Sequence, residues 1–183
     1  MSEPARTGRA GAVRAQTTPL HRVRWWSAAL VVVFAVHNAE ELVGLPSLLA
    51  SVRPPAVAGW TDLYRPDRFL TAVAVLTVLV MAMLVPAAVR GTPRATVVAL
   101  LAVGALLANA LSHIVQAVVL GGYVPGLLSA VLLLLPVGAL LVRALAERAP
   151  TRAPVVVALL AVGGVLSVPT ILAALLLANV LLR

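Results

Sequence analysis

The segment His37-Asn38-Ala39-Glu40-Glu41 puts three ionisable side chains within five residues, directly after the apolar run 25–36. An ionisable group in hydrocarbon costs at least ~2.5 kcal/mol even on lenient insertion scales. On an α-helix, at about 100° per residue, His37, Glu40 (i+3) and Glu41 (i+4) fall on one face. That face has to look into protein or a wet cavity. A buried imidazole beside carboxylates is the material of a metal site or of acid–base catalysis.

A second polar island follows at Asn109-Ala110-Leu111-Ser112-His113-Ile114-Val115-Gln116. Asn109, His113 and Gln116, spaced i, i+4, i+7, form one stripe, with Ser112 off it. His37 precedes Leu45 by eight residues and His113 precedes Leu120 by seven. At a rise of ~1.5 Å per residue, both histidines then lie roughly 10–12 Å from the same ends of their helices. Lipid satisfies neither stripe, so the two are expected to meet. His37, Glu40, Glu41 and His113 should converge there, with Asn38, Asn109 and Gln116 as a polar shell. Three His/Glu ligands plus an open position suit catalytic zinc. His37, His113 and one of the two glutamates, taken as Glu41, would supply the three ligands of a divalent metal. Glu40 or Glu41 would then serve as general base, and the Tyr123 hydroxyl is a further candidate catalytic group. A di-iron centre is disfavoured, because it draws carboxylates from four helices and two intramembrane glutamates are present. The bland alternative is a structural lock of His–Glu pairs between two helices.

The elements that must position these residues are written in the composition. Of 183 residues, 62% are hydrophobic and 11% charged, and mean hydropathy is +1.06, outside the balance of a soluble domain. Four spanning-length apolar runs follow the first, near 68–90, 95–120, 124–146 and 154–182. The expected fold is an all-α integral membrane bundle of about five transmembrane helices. Residues 25–183 form its single domain, and 1–24 form a basic, disordered cytoplasmic arm. A cleaved signal peptide over 25–36 is disfavoured by the long arm before it and the polar continuation of the helix.

The net charge of +8 comes from fourteen arginines and no lysine. Ten of them (6, 9, 14, 22, 24, 90, 94, 143, 148 and 152) fall on one side of the five-span topology, and Arg53, Arg65, Arg68 and Arg183 on the other. By the positive-inside rule the amino terminus is cytoplasmic and the carboxyl terminus outside, in a cell inner membrane. The charge therefore reads as topology, with the bilayer as partner and no nucleic acid. Cysteine is absent, which excludes disulfides and thiolate ligands. The loop 53–68 falls on the side of the polar cluster and could cover it, although interfacial anchoring accounts for Trp60 and Tyr64. Gly163-Gly164 and Pro169 suggest close packing and a kink in the last span. Ser129, Ser167 and Thr170 are expected to bond their own helix backbone.

His37-Asn38-Ala39-Glu40-Glu41, then Asn109-x-x-x-His113, then Tyr123-x-Pro125-Gly126 resembles the HXXEE domain family of small bacterial membrane proteins. The motifs occur in the family's order over residues 37–126, about half the chain. The resemblance implies signature positions and no reaction, since the family's biochemical function is unassigned. From the residues, the leading expectation is a membrane-embedded metal-dependent enzyme, hydrolase-like, acting on an apolar or lipid-like small molecule. The alternatives are a metal-independent acid–base isomerase or cyclase, a proton- or ion-coupled transporter, and a non-catalytic membrane subunit.

Overall fold

The computed structural model describes residues 8–51, 64–148 and 152–183. It is an all-α bundle with no strand among the described residues. The helices are α1 (Gly8–Ser51), α2 (Pro66–Val89), α3 (Pro93–Leu120), α4 (Leu127–Arg148) and α5 (Ala153–Leu181). All five are long and apolar enough to cross a membrane, α1 through its segment Leu20–Leu48. The expected five spans are therefore present. The loop expected to cover the site, including Trp60, lies outside the described residues up to 63, as do residues 1–7 of the basic arm, whereas from Gly8 the arm expected to be disordered continues into α1.

Local signals set the boundaries. Proline stands in the first turn of α2, α3 and α5, where its missing N–H costs nothing. The Thr92 hydroxyl accepts the Ala95 amide and caps α3. At the other end of α3, Gly121 adopts φ 66°, with Gly121 N–H bonded to Val118 O and Gly122 N–H to Ala117 O. This Schellman closure turns the chain back toward α4. In α4 the segment Ala130–Leu134 is wound as π-helix. Pro136 follows two residues later, with no N–H to donate and a ring that crowds the preceding turn, and the wider turn makes room for it.

α3 is the central helix. Its small residues Ala99, Ala102 and Ala110 are buried, with Leu100, Val103 and Leu106 between them. α3 and α5 pack backbone-close at Gly104 and Gly163. A β-carbon on Gly104 would run into Leu160 O, and one on Gly163 into Leu101 O, the backbone-close contact that small residues permit between membrane helices. Leu30, Phe34, Leu84, Leu134, Leu141 and Leu145 complete the core. Outward-facing positions such as Val43, Val118, Val119, Val165 and Val168 are more than two-thirds exposed. An apolar exterior of this extent suits hydrocarbon rather than water.

The stretch of α1 around Arg22 and Arg24 meets the ends of α2 and α4. Arg24 Nε donates to Ala88 O, and Glu147 pairs with Arg22 and Arg143, each at 2.8 Å. These contacts define the arginine-rich end of the bundle. Such exposed pairs contribute little to stability. The two polar islands lie toward the opposite end.

Candidate metal site

The two islands meet. The His37 and His113 rings stand edge to face, 4.9 Å between centroids at 83°. Glu41 Oε1 lies 3.0 Å from His113 Nε2 and 3.7 Å from His37 Nε2. One ligand atom from each of His37, Glu41 and His113 falls within 4.8 Å of the others.

Each imidazole is placed by its surroundings. His37 is fully buried. Its Nδ1 is 2.9 Å from Ser129 Oγ, and that hydroxyl donates to Gly126 O at 3.3 Å. With its own proton so used, Ser129 accepts from Nδ1–H in the tautomer that leaves a lone pair on Nε2. Asn109 Nδ2 donates to that lone pair at 3.0 Å, so a cation taking Nε2 must displace the amide. His113 is the counterpart without a network. Its side chain is 7% exposed, and neither ring nitrogen has a hydrogen-bond partner. Nε2 is close to Glu41 Oε1 but out of line with it. Buried nitrogens left unpaired are costly, and a cation held with Glu41 and His37 would satisfy one of them. Two imidazoles and a carboxylate form the donor set of a catalytic zinc site, and a partner on the far nitrogen of His37 is the usual support for such a ligand.

Glu40 was expected in the same pocket, but it points elsewhere. Its Oε2 accepts Ser129 N–H at 2.8 Å, and its Oε1 accepts Leu128 N–H at 3.1 Å and the Tyr123 hydroxyl. The free amides at the start of α4 are thus capped by a carboxylate from α1, on the positive end of the helix dipole. The Tyr123 phenol, bonded to that carboxylate, is pushed up to about 12. In a Tyr64→Phe background Tyr123 is the remaining tyrosine of two. Its tyrosinate absorbance should then titrate near that value and fall toward ~10 in Glu40→Gln. An unchanged midpoint would show that Glu40 does not hold the phenol.

The turn Tyr123-x-Pro125-Gly126 acquires a physical role from these contacts. Gly44 on α1 faces Pro125, where a β-carbon would come within 2.6 Å of the proline ring. Gly126 has φ 88°, a region that favours glycine. A β-carbon there would lie 2.7 Å from His113 Cε1, 2.9 Å from His37 Cε1 and 3.0 Å from Glu41 Cγ. The Gly126 backbone is therefore one wall of the triad.

The remaining candidates are distributed around a cavity of about 520 Å³. Glu41, Asn109, His113 and Gln116 line it, with Gln116 Nε2 at 3.5 Å from Ser112 Oγ. Ser112, expected to point away, also lines the cavity, because the cavity wraps further round α3 than the histidine stripe does. Asn38 lines it while donating to Thr77 Oγ1 at 3.0 Å, which ties α1 to α2. Tyr64 is at its edge. Ser167 and Thr170 bond their own helix carbonyls, as expected. Ser129 was expected to do only that, and its second contact, to His37, was missed. Its position three residues after Gly126 and two after the start of α4 was the available signal.

Fold and site together define a multi-pass helical membrane protein whose His/Glu cluster could bind a metal ion. The chain belongs to the family described as protein of unknown function with HXXEE motif, whose profile matches residues 28–141. The match takes in most of the first and fourth spanning helices, all of the second and third, and every residue of the triad. No curated protein and no solved structure matches the chain.

Proposed function

We propose that the protein is a membrane-embedded metal-dependent enzyme, hydrolase-like, acting on a lipid-like substrate drawn from the bilayer. The observation that carries this reading is the convergence of His37, Glu41 and His113 on one point beside a large, mostly apolar cavity. His37, Glu41 and His113 would hold a divalent cation, zinc by the donor set, which would supply Lewis-acid polarisation and a water of lowered pKa. The protein's part is to hold that point. Ser129 fixes the His37 tautomer, Gly126 closes one side, and Glu40 with Tyr123 secures the turn that carries Gly126. Glu41 can spend one oxygen on the ion and keep the other as proton acceptor. Glu40 is already engaged by three donors, so it serves as a positioning residue in this reading. Metal analysis of purified protein should give about one zinc, manganese or iron per chain, removed by strong chelators together with turnover. A metal-free protein that retains turnover would end the proposal.

The Asn109 donor on the His37 lone pair favours one second reading, in which the network works without metal as an acid–base isomerase or cyclase. Chelator-resistant activity that strictly requires Glu41 would select it.

The proposed location is a cell inner membrane, with the arginine-rich end of the bundle in the cytoplasm. The ten-to-four arginine distribution supports this. Reporter fusions at residue 92 should read as cytoplasmic and those at 122 as external. The reverse result would invert the topology and place the site near the cytoplasmic face.

A further inference from the structure

The cavity is not uniform along the membrane normal. Its lining on α1 runs from Leu48 to Phe34 and on α3 from Gln116 to Leu101. Polar side chains lie in the half toward Gln116, among them Asn38, Glu41, Asn109, Ser112, His113 and Gln116, while the Ser167 and Thr170 hydroxyls on α5 donate to their own helix carbonyls. Beyond Asn109 the lining changes to Phe34, Val80, Met83, Leu101, Ala102 and Ala105, without a polar side chain. The eight residues from Asn109 to Leu101 extend this apolar half over roughly 12 Å of helix rise.

An apolar cavity of this kind does not hold water, and an empty one forfeits dispersion contacts along its whole wall. A hydrocarbon chain resolves both costs. We infer that the substrate is a single-chain amphiphile whose head carries a hydrolysable ester or amide, with a fatty acid as the product-like probe of the same site. Its head rests at Glu41, Asn109 and His113, and its tail runs along α3 toward Leu101 and Met83. This rests on the proposed reading of the triad for the fate of the head, while the tail site stands on the cavity alone. The volume of about 520 Å³ lies within the range of pockets that enclose one small ligand, which favours one chain over a two-chain lipid. Ala102 and Ala105 leave the space the tail fills, so residue size there sets the accepted chain length.

The test uses two photoreactive fatty acids on the full chain in detergent, one with a diazirine at the tail end and one with it next to the carboxyl. The tail-end probe should label Met83, Leu101 or Phe34, and the head-end probe Ser112 or Gln116. Ala105→Phe should reduce tail-end labelling at Leu101 and Met83 by about tenfold, equivalent to ~1.4 kcal/mol. Head-end labelling by a short-chain probe should be retained, and circular dichroism should show unchanged helix content. Met83→Ala is the complementary variant, and it should raise labelling by longer chains. Labelling confined to outward-facing residues such as Val157 or Val168, or tail-end labelling indifferent to both variants, would overturn the inference. Correct labelling in a protein that takes up no metal would instead retain the tail site and remove the metal-dependent reading.

Discussion

His113→Ala should weaken divalent-metal binding by more than about 100-fold. Loss of a supporting partner alone typically costs 10–100-fold, and His113 offers a direct donor. The variant should still fold. The native ring makes no hydrogen bond that would be lost, although removing a buried side chain of this size leaves a void worth ~2–3 kcal/mol. His37→Ala and Glu41→Ala should show the same collapse in affinity by calorimetry and elemental analysis. Glu40→Gln keeps an acceptor toward the α4 amides and should lose far less, within about tenfold. Equal losses for Glu40→Gln and Glu41→Gln would contradict the division of labour between the adjacent carboxylates. Retention of metal by His113→Ala would remove it from the ligand set.

Gly126→Ala should be the most damaging single methyl addition in the turn. The left-handed backbone costs an L-residue about 1–2 kcal/mol, and forcing a β-carbon against both histidines and Glu41 adds ~1–3 kcal/mol of overpacking. Two neighbours separate these contributions. Gly121 shares the positive φ but faces open space, and Gly122 has neither constraint. Gly122→Ala should be close to neutral, Gly121→Ala should cost the backbone part alone, and Gly126→Ala should cost both and also lower metal affinity. Thermal unfolding in detergent beside metal titration reads each contribution. Equal effects at 121 and 126 would show that the Gly126 wall is not tight.

The five helices were legible because apolar runs of spanning length admit few alternatives, and His37, Glu41 and His113 because helical periodicity and equal depth place them together. What could not be read was how a shared face is divided. His37, Glu40 and Glu41 span a wide arc of α1, and two different neighbours meet that arc. α3 brings His113 and Asn109 to one flank, while the start of α4 brings its free amides to the other and claims Glu40. Asn38 turns instead to Thr77 on α2. These choices depend on where Gly126 ends the turn, a tertiary fact that periodicity does not encode. Ser112 was misplaced for a related reason, since a stripe drawn through His113 ignores the breadth of the cavity beside it.

The capping of α4 by Glu40 also bears on how the chain enters its membrane. α1 emerges from the ribosome first and is the least apolar of the five spans, burdened by two carboxylates and an imidazole. At insertion Glu40 has none of the donors it finally holds and Glu41 has only His37 beside it, since His113, Tyr123, Leu128 and Ser129 are still to be synthesised. Each unpartnered acid adds up to ~3.5 kcal/mol to the cost of placing α1 in the bilayer. The first span is therefore marginal by itself and becomes secure only once α3 and α4 arrive. A nascent chain halted when α1 alone has left the ribosome should hold its helix loosely or present it to an insertion chaperone, and one halted after α4 has emerged should hold it as the finished protein does.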